Sequence, residues 1–259
     1  MRFLHISDLH YLEDYKGKGG QYSVILNRMD DPFSQLDSLL ENRERNYDFV
    51  IVSGDIGEYG ETVDYISARK RLEERFACPL LTGSGNHDNK DNLIKAFDKK
   101  KTSGELFEVF FLNGLRVIML DSSHPDYNDG FVSETSCNLL AEELKMNTGV
   151  PTLIVTHHHL ISDQFTMDMA KYPSRLLEIM GNDDIIAILT GHTHHIYHGQ
   201  LAGKSYHTTG SLSFVADSMD NSLCFYQLPS ALEFEYREGR LSYRELISRE
   251  NKKILQIWS

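Results

Sequence analysis

Six short apolar runs, rich in β-branched residues, recur along the chain at 3–6, 49–52, 79–81, 117–120, 152–155 and 185–189. Each is shorter than an ordinary helix and is bounded by polar or glycine-containing segments, which makes it a candidate buried strand. Between the first three lie helix-like stretches at 34–45, 61–76 and 91–99, so the first half reads as strand and helix in alternation. That order builds a sheet with helices packed upon it. The pattern changes at ELFEVFFLNGLRVIMLDSS, where Asn113-Gly114 between two apolar runs signals a type I′ hairpin and brings an antiparallel strand into a sheet. Two more helices are expected at 134–145 and 164–180. Beyond 195 the chain reads as hairpins, with turns at Ala202-Gly203-Lys204 and Arg237-Glu238-Gly239-Arg240. The glycine- and lysine-rich stretch 16–21 reads as a surface loop. With no repeat, low-complexity tract or linker, the 259 residues are expected to form a single domain, of the α/β class.

Composition narrows this picture. At 41% hydrophobic and 25% charged residues the chain has the balance of a soluble globular protein. No apolar stretch approaches the roughly 18 residues of a spanning helix. The N-terminus runs straight into a strand pattern without a charged segment and a long apolar one after it, so a cytoplasmic location is expected and no membrane is a partner. Cys78, Cys137 and Cys224 have no CxxC spacing and are read as reduced thiols. A formal net charge of −12 argues against duplex nucleic acid, whose binding is driven by neutralising phosphates. A small phosphorylated ligand stays open, because bound cations would invert the field locally.

The candidate chemistry lies at the carboxyl ends of these runs. After 3–6 comes Ser7-Asp8-Leu9-His10, after 49–52 Ser53-Gly54-Asp55, and after 79–81 Gly85-Asn86-His87-Asp88. The run 152–155 ends in Thr156-His157-His158-His159, and 185–189 in Gly191-His192-Thr193-His194-His195. Sites in open α/β sheets form outside the carboxyl ends of the strands, so five endings spread over nearly the whole chain can converge. Asp8 and His10, two apart on extended backbone, point the same way, as do His192 and His194. Gly54, Gly85 and Gly191 let the backbone turn tightly there. Oxygen and nitrogen donors without a nearby thiol suit Mn, Fe, Co, Zn or Ni. Asp55 is the natural bridge between two such ions.

The ordered series Asp-x-His, Gly-Asp, Gly-Asn-His-Asp, His and Gly-His-x-His resembles the calcineurin-like metallophosphoesterase superfamily. GDIGEYGETVDYISARKRLEE and the Gly-Asn-His-Asp form resemble its bacterial class III cyclic nucleotide and glycerophosphodiester phosphodiesterases. THHHL departs from that group, which has a proline soon after the histidines. The resemblance implies a four-layer α/β/β/α sandwich with two mixed sheets flanked by helices. It implies one metal ion on Asp8, His10, Asp55 and His194, and a second on Asp55, Asn86, His157 and His192. His157 is preferred to His158 by the resemblance and as the first residue after its strand. His87 would be the catalytic residue, facing the substrate as a proton donor without binding metal. The implied reaction is hydrolysis of a small phosphodiester, a cyclic nucleotide or glycerophosphodiester, by a hydroxide bridging the ions. Relatives suggest a homodimer. No P-loop pattern is present.

Blander readings stand beside these. Asp8 or Asp55 alone would be a turn or helix cap, and Asn86 alone a turn residue. His158, His159, His195 and His198 are read as neighbours of the site, supporting donors or surface residues. His124 is read as a rim residue and His207 as structural. The cleft wall is assigned to 16–21, 124–130 and 212–220. A phosphomonoesterase or nucleotidase on the same core, and a non-catalytic scaffold that kept the fold, are the alternatives.

Overall fold

In a computed structural model, all residues are described except 17–21, 163, 165–166, 220–221, 249–252 and 259. Three runs form parallel neighbours β1 (Arg2–Ile6), β2 (Phe49–Val52) and β3 (Leu80–Thr82), in register as Leu4 beside Val50 and Val50 beside Leu80. Two antiparallel strands from the end of the chain, β12 (Ser230–Arg237) and β13 (Arg240–Ile247), extend this sheet past β1. The second sheet begins with the Asn113-Gly114 hairpin, β4 (Phe107–Leu112) and β5 (Leu115–Leu120), followed by β6 (Thr152–Val155) and β7 (Ile185–Thr190). It closes with β9 (Lys204–Thr208) and β8 (Tyr197–Leu201), giving the order β4-β5-β6-β7-β9-β8.

Both sheets are mixed, and the two-residue period of a strand explains how they stack. On β2, Phe49 and Ile51 face the second sheet and join Phe3, Val117, Leu153, Val155 and Leu189 between the sheets. Val50 and Val52, on the other face, pack with Phe33, Leu36, Tyr65, Leu72 and Leu93 beneath helices α2 (Pro32–Leu39), α3 (Thr62–Arg75) and α4 (Lys90–Ala96). On the far side Ile118, Ile154 and Ile188 lie under α5 (Glu134–Met146) and α6 (Arg175–Met180). A strand covered on both faces is apolar throughout, which is why these runs do not alternate in sequence. The result is the expected α/β/β/α order of layers.

Three elements differ from expectation. The helix expected at 34–45 starts earlier, where the Asp31 carboxylate accepts from Ser34 N–H and Pro32 occupies the first turn, and it ends at Leu39. The chain then passes through Asn42 at φ 58°, a conformation a helix cannot continue. Of the helix expected at 164–180 only Arg175–Met180 is helical among the described residues, and Pro173, which disfavours helical backbone at Tyr172, stands just before it. A third sheet was not foreseen. Strands β10 (Val215–Met219), β11 (Ser222–Gln227) and β14 (Lys253–Trp258) are antiparallel, and Phe225 and Leu255 pack with Ile25 and Leu26 of the one-turn helix α1 (Ser23–Leu26). No helix among the described residues is long and apolar enough to cross a membrane.

His207 is structural, as read from sequence. It sits on β9, with its ring 5.4 Å from Phe234 of β12 and its Nδ1 2.7 Å from Nδ1 of His198. His198 in turn meets Glu245 through Nε2 at 3.1 Å. Burial, then the neighbouring His198, pushes the His207 pKa down to about 4. The folded chain therefore resists a proton that the unfolded chain accepts near pH 6.5. The stability contributed by neutral His207 is present above that pH and is lost as the pH falls toward 4. Melting temperature measured from pH 7.5 to 4.5 should fall more steeply in the wild type than in His207→Gln, by a difference on the order of 2 kcal/mol at the acid end. Parallel curves would refute this.

Candidate metal centre

The carboxyl ends of β1, β2, β3, β6 and β7 meet at one edge of the sandwich, and the chain bends sharply there to aim its side chains. Asp8, His10, Asp55, His192 and His194 all have positive φ, between 46° and 73°. For residues other than glycine this costs roughly 1–3 kcal/mol each and persists only where the surroundings impose it. Here backbone bonds between strand ends impose it: Asp8 N–H donates to Gly54 O, His10 N–H to Asp55 O, and Gly191 N–H to His157 O. The carboxylates help, since Asp55 Oδ1 accepts from His87 N–H at 2.8 Å and Asp8 Oδ2 from His192 N–H at 3.1 Å.

On one side of the centre, His194 Nε2 lies 3.2 Å from Asp8 Oδ1 and 3.2 Å from His10 Nε2, which is 3.7 Å from Asp55 Oδ2. The proton positions on these rings follow from their other nitrogens. His194 Nδ1 faces the Phe214 carbonyl at 2.6 Å and His10 Nδ1 faces the Glu58 carboxylate at 2.5 Å. Both partners only accept, so each ring has a proton on Nδ1 and turns its Nε2 toward the centre, which is how ligating histidines are held.

On the other side, His157 Nε2 is 3.2 Å from Asp55 Oδ2 and 4.0 Å from Asp8 Oδ1. His158 Nε2 is 3.2 Å from Asn86 Oδ1, while its Nδ1 meets Ser122 Oγ at 2.8 Å. Nitrogens of His157, His158 and His192 lie within 4.8 Å of one another, as do donor atoms of Asp8, His10 and His194 and of Asp8, Asp55 and His157. Asp8 Oδ1, His157 Nε2 and His192 Nε2 are buried without a hydrogen-bond partner among the described residues. An unsatisfied buried polar atom costs about 1–3 kcal/mol, and several at one point fit a pair of cations. The structure thus brings together all eight residues singled out from sequence, His87 included. His158 comes closer than a bystander, with its ring directed at Asn86.

The charges reinforce the geometry. Burial works to raise the Asp55 carboxyl, but His157, His87 and His10 beside it outweigh burial and hold it well below the usual range. At Asp8 burial is likewise outweighed, chiefly by His194 and His157. Burial pulls His87 down, yet the Asp55 charge and the bond to Glu58 carry it up to about 9. Burial and Asp55 push Asp88 up to about 7, and its carboxyl accepts from Gly57 N–H and Gly85 N–H, tying two loops together. His158 and His192 are held well below the usual histidine value, first by burial.

A cleft of about 630 Å3 opens over the centre. Tyr22, Tyr59, Phe214 and Phe225 give it aromatic surface, and Asn128 and Asp129 are among its polar lining. Segments 124–130 and 212–220 therefore supply wall residues, whereas 17–21 lies outside the described residues. His124 sits away from the cleft against Tyr127 and Phe131. His195 lines the cleft and reaches Asp217 Oδ1 at 2.8 Å, and His159 meets Met167 O at 3.3 Å. The sequence reading missed Glu58, which binds both His10 and His87, and of the aromatic wall it missed Tyr22, Tyr59 and Phe225, whereas Phe214 lies in the expected 212–220. Glu58 had a signal, three positions after Asp55 in GDIGE; Tyr22, at the start of α1, Tyr59, in the loop after β2, and Phe225, on β11, had none.

Residues 1–195 match the family model described as calcineurin-like phosphoesterase. A cAMP/cGMP dual specificity phosphodiesterase of Mycobacterium tuberculosis is 27% identical over 223 residues, covering 83% of this chain and 68% of that protein. A probable cyclic nucleotide phosphodiesterase of Synechococcus is 30% identical over 196 residues, covering 74% and 72%. Among solved structures, a dimetal phosphatase from Danio rerio shares the fold, with a TM-score of 0.57 over 96% of this chain and 99% of that one at 13% identity.

Packing around Asp55 supplies a test that touches no donor atom. A Cβ at Gly85 would stand 2.1 Å from Asp55 Oδ1 and 2.7 Å from Asp55 N, so a methyl group there must displace the carboxylate. Gly85→Ala should therefore keep the circular dichroism of the folded chain yet hold well under one ion per chain by elemental analysis. Gly114→Ala, strained by its φ of 86° but touching nothing and remote from the centre, controls for a general loss of stability. Full metal content in Gly85→Ala would show that Asp55 is not where the ions gather.

Proposed function

This chain belongs to the calcineurin-like phosphoesterase family, and we propose that it hydrolyses phosphodiesters, cyclic nucleotides or glycerophosphodiesters, at a centre of two metal ions. In this reading Asp8, His10, Asp55 and His194 hold one ion, and Asp55, Asn86, His157 and His192 the other, with Mn, Fe, Zn, Co or Ni as candidates. Two bound cations supply an attacking water acidified to near neutral pH and positive charge opposite the phosphoryl oxygens.

The observation that carries the preference for diesters is the lining of the cleft. Among the described residues neither lysine nor arginine lines it, while Asp129 and Glu58 do, beside four aromatic rings. A substrate whose single negative charge is met at the metal centre, and whose remaining bulk is uncharged, fits these walls. A second or third phosphate charge further out would face Asp129 and meet no lysine or arginine among the described residues. The relatives named as cyclic nucleotide phosphodiesterases point the same way.

His87 takes the part of proton donor. It lines the cleft with its Nδ1 engaged by Glu58 at 3.0 Å, which leaves Nε2 for the leaving oxygen. Its side chain is 16% exposed, enough to meet a substrate while keeping most of its surface out of water.

Chelator-treated protein should be inactive toward bis(p-nitrophenyl) phosphate and recover with Mn, and in a panel the cyclic nucleotides or glycerophosphodiesters should exceed the phosphomonoesters in kcat/KM. Monoesters winning by orders of magnitude would overturn the diester assignment, and activity indifferent to metal would overturn the centre itself.

His87→Ala should retain both ions and lose on the order of 10²–10⁴ in rate on a diester with an alkyl leaving group. The defect should shrink when the leaving group is p-nitrophenol, which departs without a proton. Equal losses on both esters would remove the proton-donor role, and loss of metal would make His87 a ligand.

A further inference from the structure

We propose that Tyr59 is the specificity-determining residue of the cleft, stacking on a nucleobase and so selecting a cyclic nucleotide over a glycerophosphodiester. The inference rests on the diester reading given above and chooses between its two substrate classes. Tyr59 lines the cleft and is 60% exposed, whereas Phe214 and Phe225, which line it too, are 5% and 1% exposed. Those two rings are already covered by one another, by Tyr22 and, at Phe225, by Trp258. Among the described residues Tyr59 meets a single ring, that of His87, at 5.3 Å and a tilt of 45°. Most of an aromatic ring is thus left uncovered directly beside the proton donor.

The backbone imposes this exposure. Tyr59 has φ 50°, a conformation that is unfavourable for any residue but glycine. Its N–H donates to His87 O at 2.6 Å, and the carbonyl of Gly60 accepts from Asn92 Nδ2 at 3.0 Å. The chain is therefore anchored on the loop that carries His87 and on α4, and the ring is turned outward, where it gains little burial. Glycine would adopt this φ without strain, yet position 59 carries one of the bulkier side chains. A strained backbone that holds a large ring at the mouth of a cleft has its physical reason in what the ring meets there.

A nucleobase matches this surface. It is planar, and every base has a face that stacks on an aromatic side chain. Its edge carries amino groups and ring nitrogens that pair with a side-chain amide or carboxylate, and Asn128 and Asp129 line the same cleft. Burial, then the neighbouring Glu58 and Asp55, raises the Tyr59 phenol above its ordinary value, so the ring stays neutral and adds no charge beside the phosphate. In a cyclic nucleotide the base and both ester oxygens belong to one ribose, so a base held at Tyr59 keeps the leaving oxygen close to His87. A glycerol arm has no flat face to offer.

Two variants test this: Tyr59→Leu keeps apolar bulk without the ring, and Tyr59→Phe keeps the ring without the hydroxyl. With Mn-loaded protein, kcat/KM is measured on cAMP and on glycerophosphoethanolamine. The ratio of the two should fall about 10–100-fold in Tyr59→Leu, mainly through KM for cAMP, and should be kept in Tyr59→Phe. Adenosine, which carries the base but no phosphate, is the second probe. In metal-free protein, saturation-transfer NMR should show contact with its base protons in the wild type and Tyr59→Phe, and lose that contact in Tyr59→Leu. An unchanged ratio or an undiminished adenosine signal in Tyr59→Leu would overturn the proposal, as would a wild type that prefers glycerophosphoethanolamine. If instead the wild type hydrolysed neither diester, the functional reading would fall, and the adenosine signal would still decide whether Tyr59 holds a base.

Discussion

The structure is organised around a crowd of buried polar groups at one point. Asp8 and Asp55 are buried carboxylates, and Nε2 of His10 and of His194 is turned toward them because Glu58 and a backbone carbonyl engage Nδ1 on the far side of each ring. Several atoms of the cluster lack hydrogen-bond partners among the described residues. Such a cluster survives folding only if the rest of the molecule is stable enough to hold it, and it is relieved by cations.

What holds it is the sandwich. Strands apolar on both faces lie between helical layers, and their ends are cross-tied so that five residues keep a backbone conformation they would otherwise leave. The rigid part of the fold lies directly behind the strained part. Five of the donors are displaced from their ideal backbone by the same bend that brings them to the centre, so for these placement and local strain are one property.

Much of this was legible in the sequence because each strand ends in a residue able to bind metal. Strand ends in such sheets converge whatever the loops between them do, so Asp8, Asp55, Asn86, His157 and His192 could be gathered from spacing and resemblance without any coordinates. Features that depend on contacts between distant segments were not legible. Glu58 matters through two rings, both on other strand ends, so its spacing from Asp55 marked it but could not say what it touches. The sheet of β10, β11 and β14 escaped because its strands are short and the last is separated from the other two by some 25 residues. The helix expected at 164–180 failed for a local reason: the apolar spacing was present, but Pro173 stands inside it.

The aromatic wall of the cleft draws on both ends of the chain, whereas its floor does not. Phe214 and Phe225 belong to the last quarter of the chain, and Trp258 braces them, with its ring 4.5 Å from Phe225 and 6.1 Å from Tyr22. The part of the chain that matches the family ends at 195, before Phe214, Phe225 and Trp258. Tyr22 and Tyr59, the rest of the wall, lie inside it. A side-chain change at Phe225 reshapes what the cleft admits without moving a donor atom, whereas Phe214 also lends the backbone carbonyl that holds the His194 ring, so at that residue the shape of the cleft and the aim of a donor are set together.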